Sequence, residues 1–158
     1  VTLGVSENTE VVFIASRQSS AGTRFPVRPG TRLPLPFCAA GQATLSCWSD
    51  FDIRRTFGAG LPPALTGKSP SSIDQLLDHI HEARRRGYAL EEEQSYEGIT
   101  SLAAPVLNSL NRPLAAVMIS VPSETFVGEI RTELADTIVS ICNRLSRRMG
   151  AILPMPDR

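Results

Sequence analysis

Residues 91–121 read EEEQSYEGITSLAAPVLNSLNRPLAAVMISV and carry the strongest strand signals of the chain. Two apolar runs, residues 99–107 and 114–121, flank a short polar turn. Runs of strand length joined by such a turn are typical of a β-hairpin. Periodicity does not separate a continuous apolar run from a buried helix, but the run length and the flanking Gly98 and Pro113 favour strands. We therefore expect a hairpin whose strands are covered on both faces.

The hairpin carries few polar side chains. Thr100, Ser101 and Ser120 interrupt the apolar runs, and the acidic segment 91–93 precedes them. If the strands are buried, these hydroxyl groups point into a dry interior beside the acidic segment. A mostly apolar space with a few placed polar groups is the composition of a small-molecule pocket. The stretch therefore predicts ligand binding as well as fold.

The composition is that of one globular domain. The 158 residues are 42% apolar and 20% charged, and 16 basic residues balance 16 acidic ones. The zero net charge argues against a free-standing nucleic-acid binder. No apolar run approaches the roughly 20 residues of a membrane span, and no signal peptide is visible. Cys38, Cys47 and Cys142 form no CxxC pair, which favours reduced thiols. We expect a cytoplasmic protein without membrane association.

The rest of the chain carries strand and helix signals. We expect strands at residues 2–5, 10–15 and 23–27, and helices starting near residues 37–39, at Ser72 and after residue 122. Ser72 and Gln75 form a capping box, and Gly87 is a natural C-cap. The last helix is indicated by apolar residues spaced three and four apart: Ile130, Leu134, Ile138, Ile141, Leu145 and Met149. This order indicates an α+β domain with an antiparallel sheet and helices packed on it.

No residue pattern typical of catalysis or metal binding stands out. His79 and His81 are two apart, so they face different sides of a helix, and we interpret them as solvated. Cys38 stands near a predicted helix start, where a thiol pKa can fall, but core packing is the better interpretation. Ser46 and Ser101 lack a GxSxG context. We therefore expect no enzymatic activity, no metal and no cofactor.

Two features of the sequence allow two interpretations each. The acidic segment 91–93 is either a solvated turn or a turn that sends one carboxylate inward. Ala39 and Ala40 lie near a predicted helix start, where free backbone N–H groups can receive a carboxylate or phosphate. Tight packing of that helix end is an equally good interpretation. Gly41 inside the helix costs about 1 kcal/mol relative to Ala, which indicates close packing or ligand approach.

Three segments of the chain resemble one known family. Residues 30–46 (GTRLPLPFCAAGQATLS), 84–106 (RRRGYALEEEQSYEGITSLAAPV) and 112–124 (RPLAAVMISVPSE) are similar to signature segments of the IclR-type bacterial transcriptional regulators. The segments occur in the order found in that family, and the resemblance covers nearly the whole chain. Any one of them alone would be weak, but together they are specific.

The resemblance implies a fold, a function and partners. Residues 1–158 would form a single effector-binding domain with a GAF-like or profilin-like α+β fold, in which helices pack on the faces of an antiparallel sheet. The winged helix-turn-helix that precedes this domain in the family is absent from the sequence, so DNA would be bound only through that missing domain. Family effectors are small organic acids, often aromatic. Members form dimers and tetramers, and the early strands could supply a paired edge.

The resemblance also implies the positions of the pocket. The backbone of Ala39 and Ala40 matches the carboxylate-binding helix start of the family, and Glu91 matches an acidic pocket position. The complete set of implied ligand-binding residues, including apolar walls and hydroxyl groups, is Phe25, Leu33, Ala39, Ala40, Glu91, Ile99, Ser101, Met118 and Ser120.

The chain departs from the family pattern at a few positions. Pro36 replaces His, Gln42 replaces Lys, Met118 replaces Ser and Val121 replaces Gly. Met118 removes a hydrogen-bond donor and adds flexible apolar surface, which shifts the expected effector away from very small keto acids. We expect a ligand sensor. The alternatives are an enzyme acting on a small carboxylate and a pure oligomerisation module with no ligand.

Overall fold

The computed structural model describes residues 1–19 and 25–153. Within these ranges the chain forms a six-stranded sheet, four α-helices and a 3-10 turn. The elements in chain order are β1 (Thr2–Glu7), β2 (Glu10–Ser16), β3 (Arg32–Pro34), α1 (Ala39–Leu45), α2 (Asp50–Phe57), α3 (Ile73–Arg86), β4 (Ala89–Glu92), β5 (Ile99–Leu107), β6 (Pro113–Pro122), the 3-10 turn (Ser123–Thr125) and α4 (Gly128–Arg148). This is the expected α+β class. None of the described helices is long and apolar enough to cross a membrane.

The sheet is antiparallel throughout, with strand order β3-β2-β1-β6-β5-β4. The predicted hairpin is confirmed, since β5 and β6 pair along nearly their whole length. Asn108 closes its turn: the Asn108 amide donates to the Arg112 carbonyl at 2.9 Å, and the Asn108 side chain accepts from the Leu110 and Arg112 amides. β1 lies inside the sheet between β2 and β6, so the expectation that this early strand supplies a free edge was wrong.

Helices cover both faces of the hairpin. α1 packs on β4, β5 and β6 from one side, and α4 packs on β5 and β6 from the other. Because side chains alternate along a strand, Ala103 joins the core beneath α1 while Leu102 joins the core beneath α4. β5 is therefore buried on both faces, as expected. β6 is covered less completely, and Leu114 near its start is 49% exposed.

The third strand does not lie where the sequence predicts it. Residues 23 and 24 of the predicted strand 23–27 lie outside the described residues, and residues 25–27 are not in a strand. The strand beside β2 is β3, because the amide of Gly30 donates to the carbonyl of Phe13 and the amide of Phe13 donates to the carbonyl of Thr31. The turn at Gly30 thus delivers residues 32–34, rather than 23–27, to the edge of β2.

α1 begins at the last of the predicted start positions, 37–39, because the chain turns just before it. Phe37 donates its amide to the Pro34 carbonyl at 3.1 Å, and the helix begins only at Ala39. A Cβ atom at Gly41 would lie 2.2 Å from the carbonyl oxygen of Leu35 and 2.5 Å from its Cα. Close packing against the backbone of this turn, and not ligand approach, therefore accounts for glycine at this position.

α3 begins and ends as predicted. Ser72 caps it by accepting the Gln75 amide at 3.2 Å, and Gly87 ends it with a left-handed φ of 80°. The capping box is not reciprocal, since the Gln75 side chain accepts from the amide and hydroxyl of Ser71 instead of from Ser72. Arg84 joins this helix to the segment between α1 and α2, donating to the carbonyls of Ser46 and Trp48.

α4 begins later than expected, at Gly128, because the chain first makes the 3-10 turn Ser123–Thr125. Its buried stripe also differs from the predicted one. The fully buried residues are Ala135, Ile138, Cys142 and Ser146, whereas Ile130 and Met149 are about half exposed. Ser146 is buried because its hydroxyl accepts the Leu107 amide at 2.8 Å and donates to the Cys142 carbonyl.

Candidate ligand-binding site

A row of three polar side chains crosses the sheet beneath α1. Glu91 on β4 pairs with Ser101 on β5, and Ser101 pairs with Ser120 on β6. Residues directly opposite each other in antiparallel strands share a face. The hydroxyl oxygens of Ser101 and Ser120 are 2.9 Å apart and form a hydrogen bond. The structure therefore brings together three of the residues that the sequence predicts for the pocket.

The neighbouring row is made of small or apolar side chains. Ala89, Ala103 and Met118 stand opposite one another on β4, β5 and β6, and Thr2 on β1 continues the row. The two alanines leave room for α1 to lie close to the sheet. Met118 is 2% exposed and belongs to the apolar core beneath α1. It lies two residues from Ser120 along β6, so the two side chains share this face.

The start of α1 lies above this face of the sheet. Cys38 is its N-cap, and the sulfur of Cys38 accepts the Gly41 amide at 3.4 Å. The first helical hydrogen bond runs from Gln42 to the carbonyl of Cys38, so the amides of Ala39 and Ala40 precede the helical ladder. Burial raises the pKa of the Cys38 thiol to about 12, and the nearby Glu91 carboxylate raises it further. The thiol is therefore a packed, neutral group, as the sequence indicated.

Glu91 is the inward-facing member of the acidic segment. It is fully buried, whereas Glu92 is exposed and Glu93 pairs with Lys68 at 3.2 Å. One carboxylate oxygen, Oε1, accepts the amides of Gln94 at 2.6 Å and Ser95 at 2.9 Å. The other, Oε2, has no hydrogen-bond partner among the described residues. Burial raises the pKa of Glu91 to about 7, although its hydrogen bonds oppose this shift.

A cavity of about 460 Å³ opens at the end of the row, between β1, β6, residues 16–19 and residues 25–27. Ser120 lines it from the sheet, and Phe25 and Val27 line it from the other side. The remaining lining is contributed by strand ends and the segment after β2: Val1, Thr2, Ser16, Arg17, Gln18, Ser19, Ile119, Val121 and Pro122. The cavity is of the size of small-molecule sites, roughly 300–1,000 Å³.

The two remaining predicted positions lie apart from this cavity. Leu33 is buried on β3, paired with Val11, three strands away from β6 in the sheet. It contacts the same apolar core as α1. Ile99 is half-buried at the start of β5, two residues before Ser101 and opposite Pro122. Of the nine predicted positions, only Phe25 and Ser120 line the 460 Å³ cavity.

Sequence analysis missed a buried amide network behind the row. Gln42, fully buried in α1, donates from Nε2 to the side-chain oxygen of Gln94 at 2.7 Å and to the carbonyl of Pro36. The Nε2 group of Gln94 lies 3.2 Å from Nδ1 of His79. The only sequence signal of this network was Gln42, which stands where the family that the sequence resembles has Lys. Interpreting His79 as solvated was wrong: it is half-buried, and desolvation lowers its pKa.

Comparison with known proteins identifies the class of this domain. A family profile described as "Bacterial transcriptional regulator IclR C-terminal" matches residues 1–147. The chain therefore belongs to the IclR family of bacterial transcriptional regulators and corresponds to the C-terminal domain of its members. The described residues contain no group of three or more His, Cys, Asp or Glu side chains that could hold a metal ion.

Individual relatives place this domain within longer regulators. The transcriptional regulator KdgR of Escherichia coli (strain K12) is 27% identical over 151 residues, which cover 95% of this chain and 57% of KdgR. BhcR of Paracoccus denitrificans is 24% identical over 148 residues, covering 94% of this chain and 53% of BhcR. The chain thus spans a little over half the length of these relatives.

Solved structures share the fold. The repressor BlcR of Agobacterium tumefaciens superposes with a TM-score of 0.85 at 30% identity, covering 94% of this chain and 58% of BlcR. The C-terminal domain of E. coli KdgR superposes with a TM-score of 0.80 at 22% identity, covering 94% of this chain and 86% of that domain chain. The expected sheet with helices on both faces is therefore confirmed.

Proposed function

We propose that this domain senses a small organic acid and carries no catalytic activity. The observation that supports this most directly is the row of buried Glu91, buried Ser101 and partly buried Ser120 beside a cavity of about 460 Å³. An apolar cavity bordered by a few convergent polar groups and a carboxyl group of shifted pKa is the usual make-up of a ligand site. The membership of the chain in a regulator family supports a sensory role over a metabolic one.

The proposed pose places the acid group between α1 and the sheet. The amides of Ala39 and Ala40 would donate hydrogen bonds to the carboxylate, since a helix start supplies donors without a buried cation. Ser101 and Ser120 would add hydrogen bonds. The apolar body of the effector would extend along Met118 toward the cavity that Phe25 lines. Leu33 and Ile99 lie outside that cavity and have no contact with the effector in this pose.

The absence of catalysis is supported by the state of the nucleophile candidates. The thiol of Cys38, whose pKa is about 12, remains protonated at neutral pH. Ser101 and Ser120 hydrogen-bond to each other, and neither bonds to a histidine within the described residues. Activation of a hydroxyl or thiol nucleophile requires a base within hydrogen-bond distance. Product formation from a bound acid would contradict the proposal.

The effector would act by shifting a population of states. In longer regulators of this kind, we infer that the domain assembles as a dimer or tetramer in the cytoplasm and that DNA is bound by a separate N-terminal domain. An effector changes DNA affinity only if it binds one arrangement of the assembly better than another. By the same linkage, DNA would change the affinity for the effector by the factor by which the effector changes the affinity for DNA.

Isothermal calorimetry with matched ligands tests the proposed site. We expect benzoate to bind and its amide, benzamide, to bind at least tenfold more weakly, because only the carboxylate uses the charge-assisted bonds at α1. We also expect benzoate to bind more tightly than pyruvate, since Met118 adds apolar surface. Equal binding of benzamide would refute the anchor at α1, and a preference for pyruvate would refute the role given to Met118.

A hydroxyl deletion tests the row itself. Ser120→Ala should weaken benzoate binding by about 1 kcal/mol, or roughly fivefold, because one hydrogen bond is lost. The control is Ser6→Ala, which removes a hydroxyl from an exposed position of β1. Unchanged affinity in Ser120→Ala would remove this serine from the proposed site.

A further inference from the structure

Glu91 is a buried acid without a buried base. It forms no ion pair with any Arg, Lys or His among the described residues. It accepts the amides of Gln94 and Ser95, both on the same oxygen, Oε1. The side chains of Ser95 and Ser101 also lower the pKa of Glu91, although burial outweighs all of these contacts. A buried carboxylate without a counter-charge is costly, whereas a neutral carboxyl group is not.

The groups that face Glu91 from the packed elements do not supply the missing positive charge. From α1, Cys38 interacts electrostatically with Glu91, and its thiol is neutral at pH 7. The Tyr96 phenol, in the loop after β4, also interacts electrostatically with Glu91. Burial raises the pKa of Tyr96 above its ordinary value, and Cys38 and Glu91 raise it further. From β5, the facing group is Ser101, which does not titrate in this range. Glu91 is therefore surrounded by neutral groups.

Oε2 is the oxygen through which a neutral Glu91 can donate a hydrogen bond. Oε1 already accepts two N–H bonds, so the proton of the neutral carboxyl group belongs on Oε2, which has no partner within the described residues. Ser101 and Ser120 bond to each other on the same face. A protonated Oε2 would donate a hydrogen bond to an oxygen atom that enters beside this row.

We propose that the site takes up its organic anion together with one proton, which is held on Oε2 of Glu91 and donated to an oxygen atom of the effector. This inference rests on the proposed binding of an acid at this site. An ionised Glu91 would repel the incoming carboxylate, because no cationic side chain among the described residues pairs with Glu91. Arg17 lines the adjoining cavity, which Glu91 does not line. A neutral Glu91 removes that repulsion and adds a hydrogen bond. Effector affinity therefore depends on pH.

The size of the effect follows from the ionisation of Glu91. With a pKa of about 7 in the free domain, the neutral form is dominant at about pH 6 and a minor species at about pH 8. If only the neutral form binds, the apparent Kd should rise about tenfold across this range. A benzoate carboxyl group is ionised throughout the range, so the titration of the ligand makes no contribution.

Calorimetry of the 158-residue chain with benzoate tests the coupling. Titrations at about pH 7 in two buffers of different ionisation enthalpy measure proton exchange, and we expect uptake of about half a proton per site, rising to about one at about pH 8. Glu91→Gln should bind benzoate with nearly equal affinity at both ends of the range, because Gln imitates the neutral acid. The control Glu92→Gln, at an exposed carboxylate, should keep the full pH dependence.

The outcomes distinguish failure of the proton coupling from failure of the acid-sensing function. Binding without proton uptake, or binding that tightens as pH rises, overturns the coupling and leaves the acid-sensing function intact. If benzoate, phenylacetate and pyruvate all fail to bind at about pH 6, by calorimetry and by thermal shift, the sensing function and the coupling both fail. The proton inventory is measured on the unmutated chain, so the test does not depend on the folding of Glu91→Gln.

Discussion

At the scale of single residues, Glu91 links the stability of the fold to pH. Its pKa is about 7 in the folded domain and near the ordinary value of 4.5 in the unfolded chain. Between these values the folded state binds more protons than the unfolded state, so stability falls as pH rises through this window. The full shift corresponds to at most about 3 kcal/mol.

The stability contribution of Glu91 can be isolated by comparing urea unfolding of the unmutated chain and Glu91→Gln at about pH 5 and about pH 7.5. We expect the unmutated chain to lose about 2 kcal/mol more than Glu91→Gln over this interval, because Gln does not titrate. An identical loss in both proteins would show that Glu91 has an ordinary pKa in the folded domain.

Gly41 is the second residue whose role is specific. A methyl group there would overlap the backbone of Leu35, which cannot move away as a flexible side chain could. We expect Gly41→Ala to lower the free energy of unfolding by about 2–3 kcal/mol despite the better helix propensity of Ala. Gly67→Ala is the matched control, since a Cβ atom at Gly67 meets no atom within 4 Å. Equal stability of the two variants would contradict the contact.

At the scale of elements, Arg84 holds α3 against the ends of two other helices. Its guanidinium group donates to the carbonyls of Ser46 and Trp48 after α1 and to Asp50 at the start of α2. The Arg84 side chain is about one-third exposed, so solvent screens part of this energy. The bonds to carbonyl groups after α1 keep the orientation of that helix over the sheet.

We expect Arg84→Gln to lower the free energy of unfolding by about 1–2 kcal/mol, because three donor contacts are lost together. The control is Arg85→Gln. Among the described residues, Arg85 pairs with Glu82 on its own helix, an exposed contact that solvent screens. Chemical denaturation of both variants measures the difference. If the two substitutions cost the same, Arg84 does not act as a link between helices.

At the scale of the whole molecule, the two open edges of the sheet are β3 and β4. β3 is only three residues long and ends in Pro34, a combination that discourages edge-to-edge pairing. Self-association, which we expect, would therefore use a sheet face or a helix surface in preference to the early strands. Sedimentation at several protein concentrations should show a dimer or tetramer, and a monomer at the highest concentration would contradict this expectation.

Specific DNA binding is not expected of this chain. Its formal net charge is zero, and it corresponds to the C-terminal part of longer regulators. Fluorescence anisotropy with operator DNA of the longer relatives should give no sequence-selective signal. Selective, salt-sensitive binding by residues 1–158 would refute the assignment of DNA recognition to a separate domain.

The sequence by itself determined the elements whose signals are local. The β5–β6 hairpin follows from two apolar runs around a polar turn, and the limits of α3 follow from Ser72 and Gly87. These features depend on neighbouring residues only, so a single sequence displays them. The resemblance to a family also led to the row of Glu91, Ser101 and Ser120, which local patterns alone could not assemble.

The tertiary structure alone decided which residues become buried and what they meet. It turned Glu91 inward and left Glu92 outside, it set Gly41 against Leu35, and it placed β1 in the middle of the sheet. Each of these depends on contacts between segments that are distant in the chain or on the path of a turn. The electrostatics of Glu91 follow from the same cause, because a carboxyl pKa near 7 requires α1 to exclude water from the face on which Glu91 lies.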